Sequence, residues 1–418
     1  MQRDVRLILG AQGLRALCYG FGSVLLGSSL EARGWSSARV GFLLTAVVAG
    51  TALTSVLVGT YGDRIGRRRF YTALFIGLAA SGAAFGLSGL LWVLILVALT
   101  GTFSPEVVES GPFTSLEQSM LSGVSAGNAR TRTFGVYNAV ATLAGSAGAL
   151  AAGGPALLRH VFPGLPADQR FFLLFIPVSL MGAVVASLLS DGVEAGAEER
   201  KVSVPLRRSR GRVFRLSGLF AVDSFAGGFV VQSFIAYWFK ARFGVSVEVL
   251  GLVFFAVGLL QTGSFLVATR LAERIGLLNT MVFTHLPSNI LLLSIAFAPN
   301  LPVAVALLLG RYALSQMDVP TRQAYVMAMV DPSERTSAAA YTNAARYVVR
   351  PLGPTLAGLA QQLTIGLPFL LSGGIKAVYD LALFSWFRLI PVKEEAAAQA
   401  GASGDGVGVQ RDTAAEAD

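Results

Sequence analysis

Charged side chains are scarce in this sequence. Asp, Glu, Lys and Arg make up 14% of it, against about 25% in a soluble globular chain. That shortfall excludes the ordinary water-soluble class. Cysteine is scarcer still. The single Cys18 rules out an intrachain disulfide and any metal site built on a cysteine cluster. The two histidines, His160 and His285, stand far apart and show no ligand spacing. No nucleophile–base constellation appears, so neither an enzyme nor a bound cofactor is expected.

Apolar bulk fills the space that charge leaves. Hydrophobic residues reach 54% and glycines number 47, with a mean hydropathy of +0.63. A helix needs about 20 mostly apolar residues to cross a bilayer. Runs of that length recur, such as "FYTALFIGLAASGAAFGLSG" and "MVFTHLPSNILLLSIAFAPN". The glycines fit the same class, because small residues let membrane helices approach closely. The N-terminus is basic and then apolar as far as Leu30 without a clear small-residue cleavage site. It reads as a retained first span.

Counting apolar stretches between charged or Gly/Pro-rich breaks gives twelve spans. They fall at 6–29, 40–61, 70–89, 91–121, 134–158, 170–190, 213–239, 248–269, 278–298, 302–330, 336–363 and 367–390. Pro105, Pro112, Pro320, Pro351 and Pro354 interrupt the fourth, tenth and eleventh, which predicts kinks whose freed carbonyls find other partners. The most polar internal stretch, 191–212, follows six spans. The expected organisation is a six-helix bundle over 1–190, a cytoplasmic linker over 191–212 and a second six-helix bundle over 213–392. A disordered cytoplasmic tail over 393–418, rich in Ala, Gly and acids, completes it. The fold class is all-α, with twelve transmembrane helices in two pseudo-symmetric six-helix bundles.

Orientation follows from where cations fall between spans. With the N-terminus in the cytoplasm, most of the 33 lysines and arginines lie on that side. The outer segments hold only Arg33, Arg39, Arg159, Arg170, Lys240 and Arg242. Both termini are then cytoplasmic, in a plasma (inner) membrane. The same bias accounts for the net charge of +9 without a nucleic-acid partner.

The halves repeat each other weakly. "RTRTFGVYNAVATLAGSAGALAAG" from Arg130 sets against "RTSAAAYTNAARYVVRPLGPTLAG" from Arg335, with Asn138 over Asn343, Gly148 over Gly353 and Gly153 over Gly358. "GTYGDRIGRRR" from Gly59 sets against "TRLAERIGLLN" from Thr269, with Asp63 over Glu273 and Gly66 over Gly276. Such symmetry is a mark of secondary transporters, whose substrate site lies near the midplane between repeats.

The first of those loops resembles the signature of the major facilitator superfamily, G-x-L-a-D-R-x-G-R-[KR]. Gly59, Asp63, Arg64, Gly66, Arg67 and Arg68 occupy its positions, while Tyr61-Gly62 departs from the usual Leu and small residue. With twelve spans, a basic linker and a degenerate second copy after the eighth span, the resemblance covers nearly the whole chain. It implies a latch between the two halves on the cytoplasmic side while the cavity faces outward. Gly59 is expected to let the second span approach a neighbour, and Gly66 to permit a tight turn. The plainer reading makes Arg64, Arg67, Arg68 and Arg69 topology determinants that grip anionic lipid. Asp63, framed by two glycines, is what that reading leaves unexplained.

A second pattern of the family's proton-coupled exporters, G-x-x-x-G-P-x-x-G-G in the fifth span, is met only in part. "GSAGALAAGGP" lacks the proline after Gly148, and "RPLGPTLAG" in the eleventh span fits better. The arginine such exporters carry in the fourth span is missing, and its nearest analogue is Arg311 in the tenth. The subclass and the direction of transport therefore stay open.

Ionisable residues at membrane depth cost a few kcal/mol or more unless paired or hydrated, so each is a functional candidate. Arg15, Glu106, Asp223, Arg311 and Arg346 lie deepest by span counting and are assigned to substrate or proton handling. Arg15 and Asp223 occupy corresponding places in the first and seventh spans, and pseudo-symmetry would face them across one cavity. Glu106 and Asp223 are the candidate proton carriers. Glu109, Asp318, Arg322 and Arg350 lie towards the cytoplasm and are assigned to ion pairs between the halves. Lys376 and Asp380, four apart in the last span, are expected to pair with each other.

The function these features imply is alternating-access transport of a small organic solute by a lipid-embedded monomer, proton-coupled and directed outward. Uptake or exchange of an organic anion is the alternative favoured by the membrane arginines. A transporter-like sensor that no longer transports is the third reading.

Overall fold

A computed structural model of the chain describes residues 2–104, 111–124, 128–166, 168–194, 209–330 and 334–389. All regular structure among the described residues is helical. In the first half, α1 (Gln2–Ala32), α2 (Ser37–Ile65) and α3 (Arg67–Leu87) are unbroken. The fourth span is divided between α4 (Leu91–Ala98) and α5 (Pro112–Val124). The fifth is α6 (Asn128–Ala151), continued by α7 (Gly154–Val161). A 3-10 segment, Asp168–Leu174, runs into α8 (Phe175–Ser187) to make the sixth.

The second half follows the same plan. The seventh span is α9 (Arg210–Gly228) with α10 (Gln232–Phe243), and the eighth and ninth are α11 (Val247–Ile275) and α12 (Leu277–Ile295). The tenth is divided between α13 (Leu301–Ser315) and α14 (Asp318–Met329), and the eleventh between α15 (Arg335–Val349) and α16 (Leu352–Leu363). The last is α17 (Leu367–Phe387).

Eight of these spans are long and apolar enough to cross a membrane by length and composition alone. The four that fall short are α1, α4 with α5, α13 with α14, and α15 with α16. Three of the four are divided into two helices, and buried Arg15, Asp318 and Arg322 lie in α1 and α14.

The breaks follow the prolines. Pro112 opens α5, Pro320 sits in the first turn of α14 and Pro351 caps α16, all positions where the missing N–H costs nothing. Between α2 and α3, and again between α11 and α12, the chain turns on one glycine of positive φ, Gly66 at 102° and Gly276 at 87°. Each follows an Ile that ends a 29-residue helix. Only glycine enters that region without strain.

The internal repeat also appears in packing. A side chain at Gly20 of α1 would strike the carbonyl of Gly145 in α6, and one at Gly148 would strike that of Leu17. In the second half Gly228 of α9 meets the carbonyl of Arg350 and the backbone of Gly353. The two crossings are equivalent by sequence, and both demand glycine because backbones touch. The glycine-rich run in the fifth span is therefore a helix-packing surface.

Candidate functional site

Arg15 and Glu117 lock the interior of the first half. The Arg15 Nε and Nη2 donate to the two Glu117 carboxylate oxygens at 3.1 and 2.9 Å. Tyr71 and Tyr137 donate their hydroxyls to the same oxygens at 2.8 and 2.7 Å. The guanidinium carbon also lies over the Tyr19 and Phe113 rings, 5.2 and 5.6 Å from their centres. Glu117 is wholly buried and Arg15 is 2% exposed. Four charge-assisted hydrogen bonds satisfy the carboxylate on α5 from α1, α3 and α6.

The second half holds a larger network. Asp223 on α9 accepts from Lys376 of α17 and lies 3.6 Å from Arg322 and 3.9 Å from His285. Arg322 pairs one turn back along α14 with Asp318 at 2.7 Å. His285 Nδ1 lies 2.8 Å from Asp380, whose other oxygen accepts from Asn289 at 2.8 Å. Every member is buried, so α9, α12, α14 and α17 are joined through charge in a medium that magnifies it.

These geometries correct several expectations. Arg15 and Asp223 do not face each other across one cavity, since each is enclosed by partners in its own half. Asp318 and Arg322 pair within the second half and not between halves. Lys376 and Asp380 do not pair with each other, because Lys376 is taken by Asp223 and Asp380 by His285. Arg346 stands beside α9, its carbonyl accepting from the Ser224 hydroxyl at 3.0 Å. Glu106 and Glu109 lie outside the described residues.

Glu117 escaped sequence reasoning for a physical reason. By sequence 91–121 reads as one long span, whereas α4 ends at Ala98 and α5 begins at Pro112. His285 and Tyr71 were missed because a lone histidine or tyrosine in an apolar run carries no spacing signal. Their partners are distant in sequence.

The signature loop is arranged around the Gly66 turn. Asp63 accepts from Arg67 Nε at 2.8 Å. The Glu194 carboxylate caps α3, accepting from the backbone N–H of Arg67 and Arg68 at 2.7 and 3.2 Å. Arg68 donates to the Leu189 carbonyl at 2.9 Å. These contacts bind the loop to the end of the sixth span, inside the first half. Asp4 does the same for α1, accepting from the amide and hydroxyl of Ser190. The Ser190 amide bond, working against burial, holds the Asp4 carboxyl below the usual aspartate value. One expectation fails here. A side chain at Gly59 would meet open space, while Gly62 is the glycine that lies against α5, at Leu116.

The two halves meet at the opposite end, where Trp35 joins α1 to α2. Ser37 donates to the Gly358 carbonyl at 2.8 Å and Thr45 to that of Pro351 at 2.8 Å. Gln232 donates to Ser23 at 2.8 Å, and the Tyr237 hydroxyl to the Trp35 carbonyl at 3.0 Å. Gly41 and Gly358 bring α2 and α16 into backbone contact, Gly27 does so for α1 and α10, and Gly251 for α11 and α6, where Gly258 also makes room for the Ser146 side chain. Among the described residues, the hydrogen bonds that join the halves all lie towards this end. A small cleft of mixed lining, with Thr142, Ser146, Gln232 and Gln261 beside Phe254 and Val257, lies between α6, α10 and α11.

Two helical bundles, internally repeated, broken in the charged spans and sealed against each other at one end, define a membrane transporter fold. The family model for the Major Facilitator Superfamily matches residues 8–316 and 219–411. The chain belongs to that superfamily. It is 27% identical over 429 residues to the uncharacterized membrane protein YJR124C of Saccharomyces cerevisiae, covering 94% of this chain and 95% of that one. The uncharacterized MFS-type transporter YceJ of Bacillus subtilis matches at 26% identity over 138 residues, 33% of this chain and 35% of that one. Among solved structures, the nucleoside transporter NupG aligns with a TM-score of 0.69 at 14% identity, covering 93% of this chain and 99% of that one. The xylose transporter XylE from E. coli, in a partially occluded inward-open conformation, aligns at 0.66 with 14% identity, covering 94% and 99%. The superfamily and the fold make this chain a transporter and not an enzyme.

Proposed function

We propose that this protein carries a small organic solute outward across the plasma (inner) membrane by alternating access coupled to protons. The observation that supports it most is the one-sided seal. Glycine-backed crossings close the bundle at the Trp35 end, while the Gly66 loop at the other end is held by residues of its own half. Such a pair of rigid halves is arranged to rock about the site between them. In this reading the positive-inside distribution puts in the cytoplasm the end at which no such crossing is seen among the described residues, with both termini there. In this reading Asp63, paired with Arg67, is a gate residue disengaged from the opposite half.

Proton coupling belongs, in this reading, to the network around Asp223. A carboxylate held by Lys376, Arg322 and His285 can gain a proton as those partners move with α17, α14 and α12. Glu106 is the other carrier proposed from sequence. The test is flux in proteoliposomes under an imposed pH gradient. Gradient-driven movement of at least one solute of a broad panel is expected, with uncoupled or absent accumulation in Asp223→Asn. No gradient-driven flux of any solute would sink the reading in favour of a non-transporting sensor. Organic-anion transport is a second reading, favoured by Arg311.

A further inference from the structure

We propose that Arg311 and Ser315 on α13 bind an oxyanion, a carboxylate or phosphate group of the transported solute. The role in transport rests on the reading above; the binding point rests on its own geometry.

Arg311 is 8% exposed, and its Nε and Nη1 are buried without a hydrogen-bond partner. Ser315, one turn further along the same helix face, is 6% exposed, and its hydroxyl is likewise buried and unpartnered. Among the described residues the Tyr312 ring backs the guanidinium, 4.6 Å from its carbon. That ring attracts the cation through its face but accepts no conventional hydrogen bond from it.

An arginine does not escape this situation by losing its proton. Leaving it charged, buried and unpaired is costly in a membrane protein unless something completes it. The buried acids on the page are already engaged. Glu117 is taken by Arg15, Asp318 by Arg322, Asp223 by Lys376, and Asp380 by His285 and Asn289. Each of the two networks is internally paired, whereas Arg311, at the break of the tenth span, has no ion-pair partner among the described residues. A guanidinium with two open nitrogens and a hydroxyl on the same face is a donor set for an oxyanion. Ser315 lies two residues before Met317, where α13 gives way to α14. A ligand held there therefore sits on the hinge that leads to Asp318, Arg322 and Asp223.

The experiment measures thermal melting of the purified full-length protein in detergent. Acetate and inorganic phosphate are titrated separately against chloride at matched ionic strength. A saturable rise in Tm with acetate, phosphate or both is expected, and its pattern distinguishes carboxylate from phosphate recognition. Arg311→Gln is expected to weaken that binding about tenfold or more, and Ser315→Ala by less. Arg311→Met should melt no lower than wild type without anions, because it removes an unpaired charge. If Arg311→Met fails to fold, Arg311→Lys provides the comparison, and it should keep the charge but bind more weakly. No saturable rise with either anion, or an equal rise in Arg311→Gln and wild type, overturns the proposal. Anion binding without gradient-driven flux would overturn the transporter reading and leave this site standing. Flux of a carboxylate- or phosphate-bearing solute, equal in Arg311→Gln and wild type, would do the reverse.

Discussion

Arg15 and Glu117 meet through both nitrogen–oxygen contacts of a two-pronged ion pair, 3.1 and 2.9 Å long, at a point where neither side chain reaches solvent appreciably. The carboxylate's remaining capacity is filled by the hydroxyls of Tyr71 and Tyr137. Removing one partner strands the other. Glu117→Leu is expected to destabilise the protein by about 3–5 kcal/mol, since it abandons a buried guanidinium. The double variant Arg15→Met with Glu117→Leu should cost clearly less than the two single losses added. Detergent melting of the three variants checks it, and simple additivity would remove the paired-charge argument.

Gly358 tests the seal. A side chain there would run into the Ser37 carbonyl, and one at Gly41 into that of Pro354. Gly358→Leu should penalise the closed end by about 1–3 kcal/mol, which shifts the population towards opening there by roughly tenfold or more. Alkylation of a Thr45→Cys reporter in a Cys18→Ser background should accelerate accordingly. An unchanged rate would mean that this crossing does not form the seal.

Glu194 tests how the signature loop is built. Its carboxylate replaces the missing turn above α3 by accepting from two backbone N–H groups. Glu194→Ala should cost about 1–2 kcal/mol, the range of a lost helix cap. Glu194→Gln should recover part of it, because the amide oxygen still accepts. A fall in Tm measured at low and high salt gives the answer.

Asp63 separates gating from stability. Its bond to Arg67 is an i,i+4 pair with the aspartate side chain 43% exposed, and such pairs contribute about 0.5 kcal/mol or less. Asp63→Asn should therefore leave Tm nearly unchanged while slowing turnover more than it weakens solute binding. Wild-type flux in this variant would reduce the loop to a topology signal.

Asp4 predicts a pH dependence. Its carboxyl is held below the ordinary aspartate value by the Ser190 amide. The stabilisation is therefore complete above the unfolded aspartate value near 4 and is lost as pH falls through the lower folded value. Asp4→Asn should flatten the acid limb of the Tm-against-pH curve and leave neutral pH less affected. An unchanged acid limb would contradict the assignment.

The sequence by itself determined the class, the spans and the repeat. Hydrophobic length is a local property, and twenty apolar residues admit few alternatives to a crossing helix. The positive φ of Gly66 and Gly276 was legible for the same reason, as a glycine between two long helices must be the turn. Gly148 over Gly353 was legible because backbone contact leaves no other residue possible. Tertiary structure decided everything that depends on which helices are neighbours. It gave Asp223 to Lys376, Asp380 to His285 and Arg15 to Glu117, none of them adjacent in sequence. Charge carries no address along a chain: a buried arginine requires an anion, but only packing says which one. Arg311 is the instructive case. Sequence marked it as one arginine among several in the spans, and the structure leaves it a buried guanidinium with no carboxylate partner among the described residues.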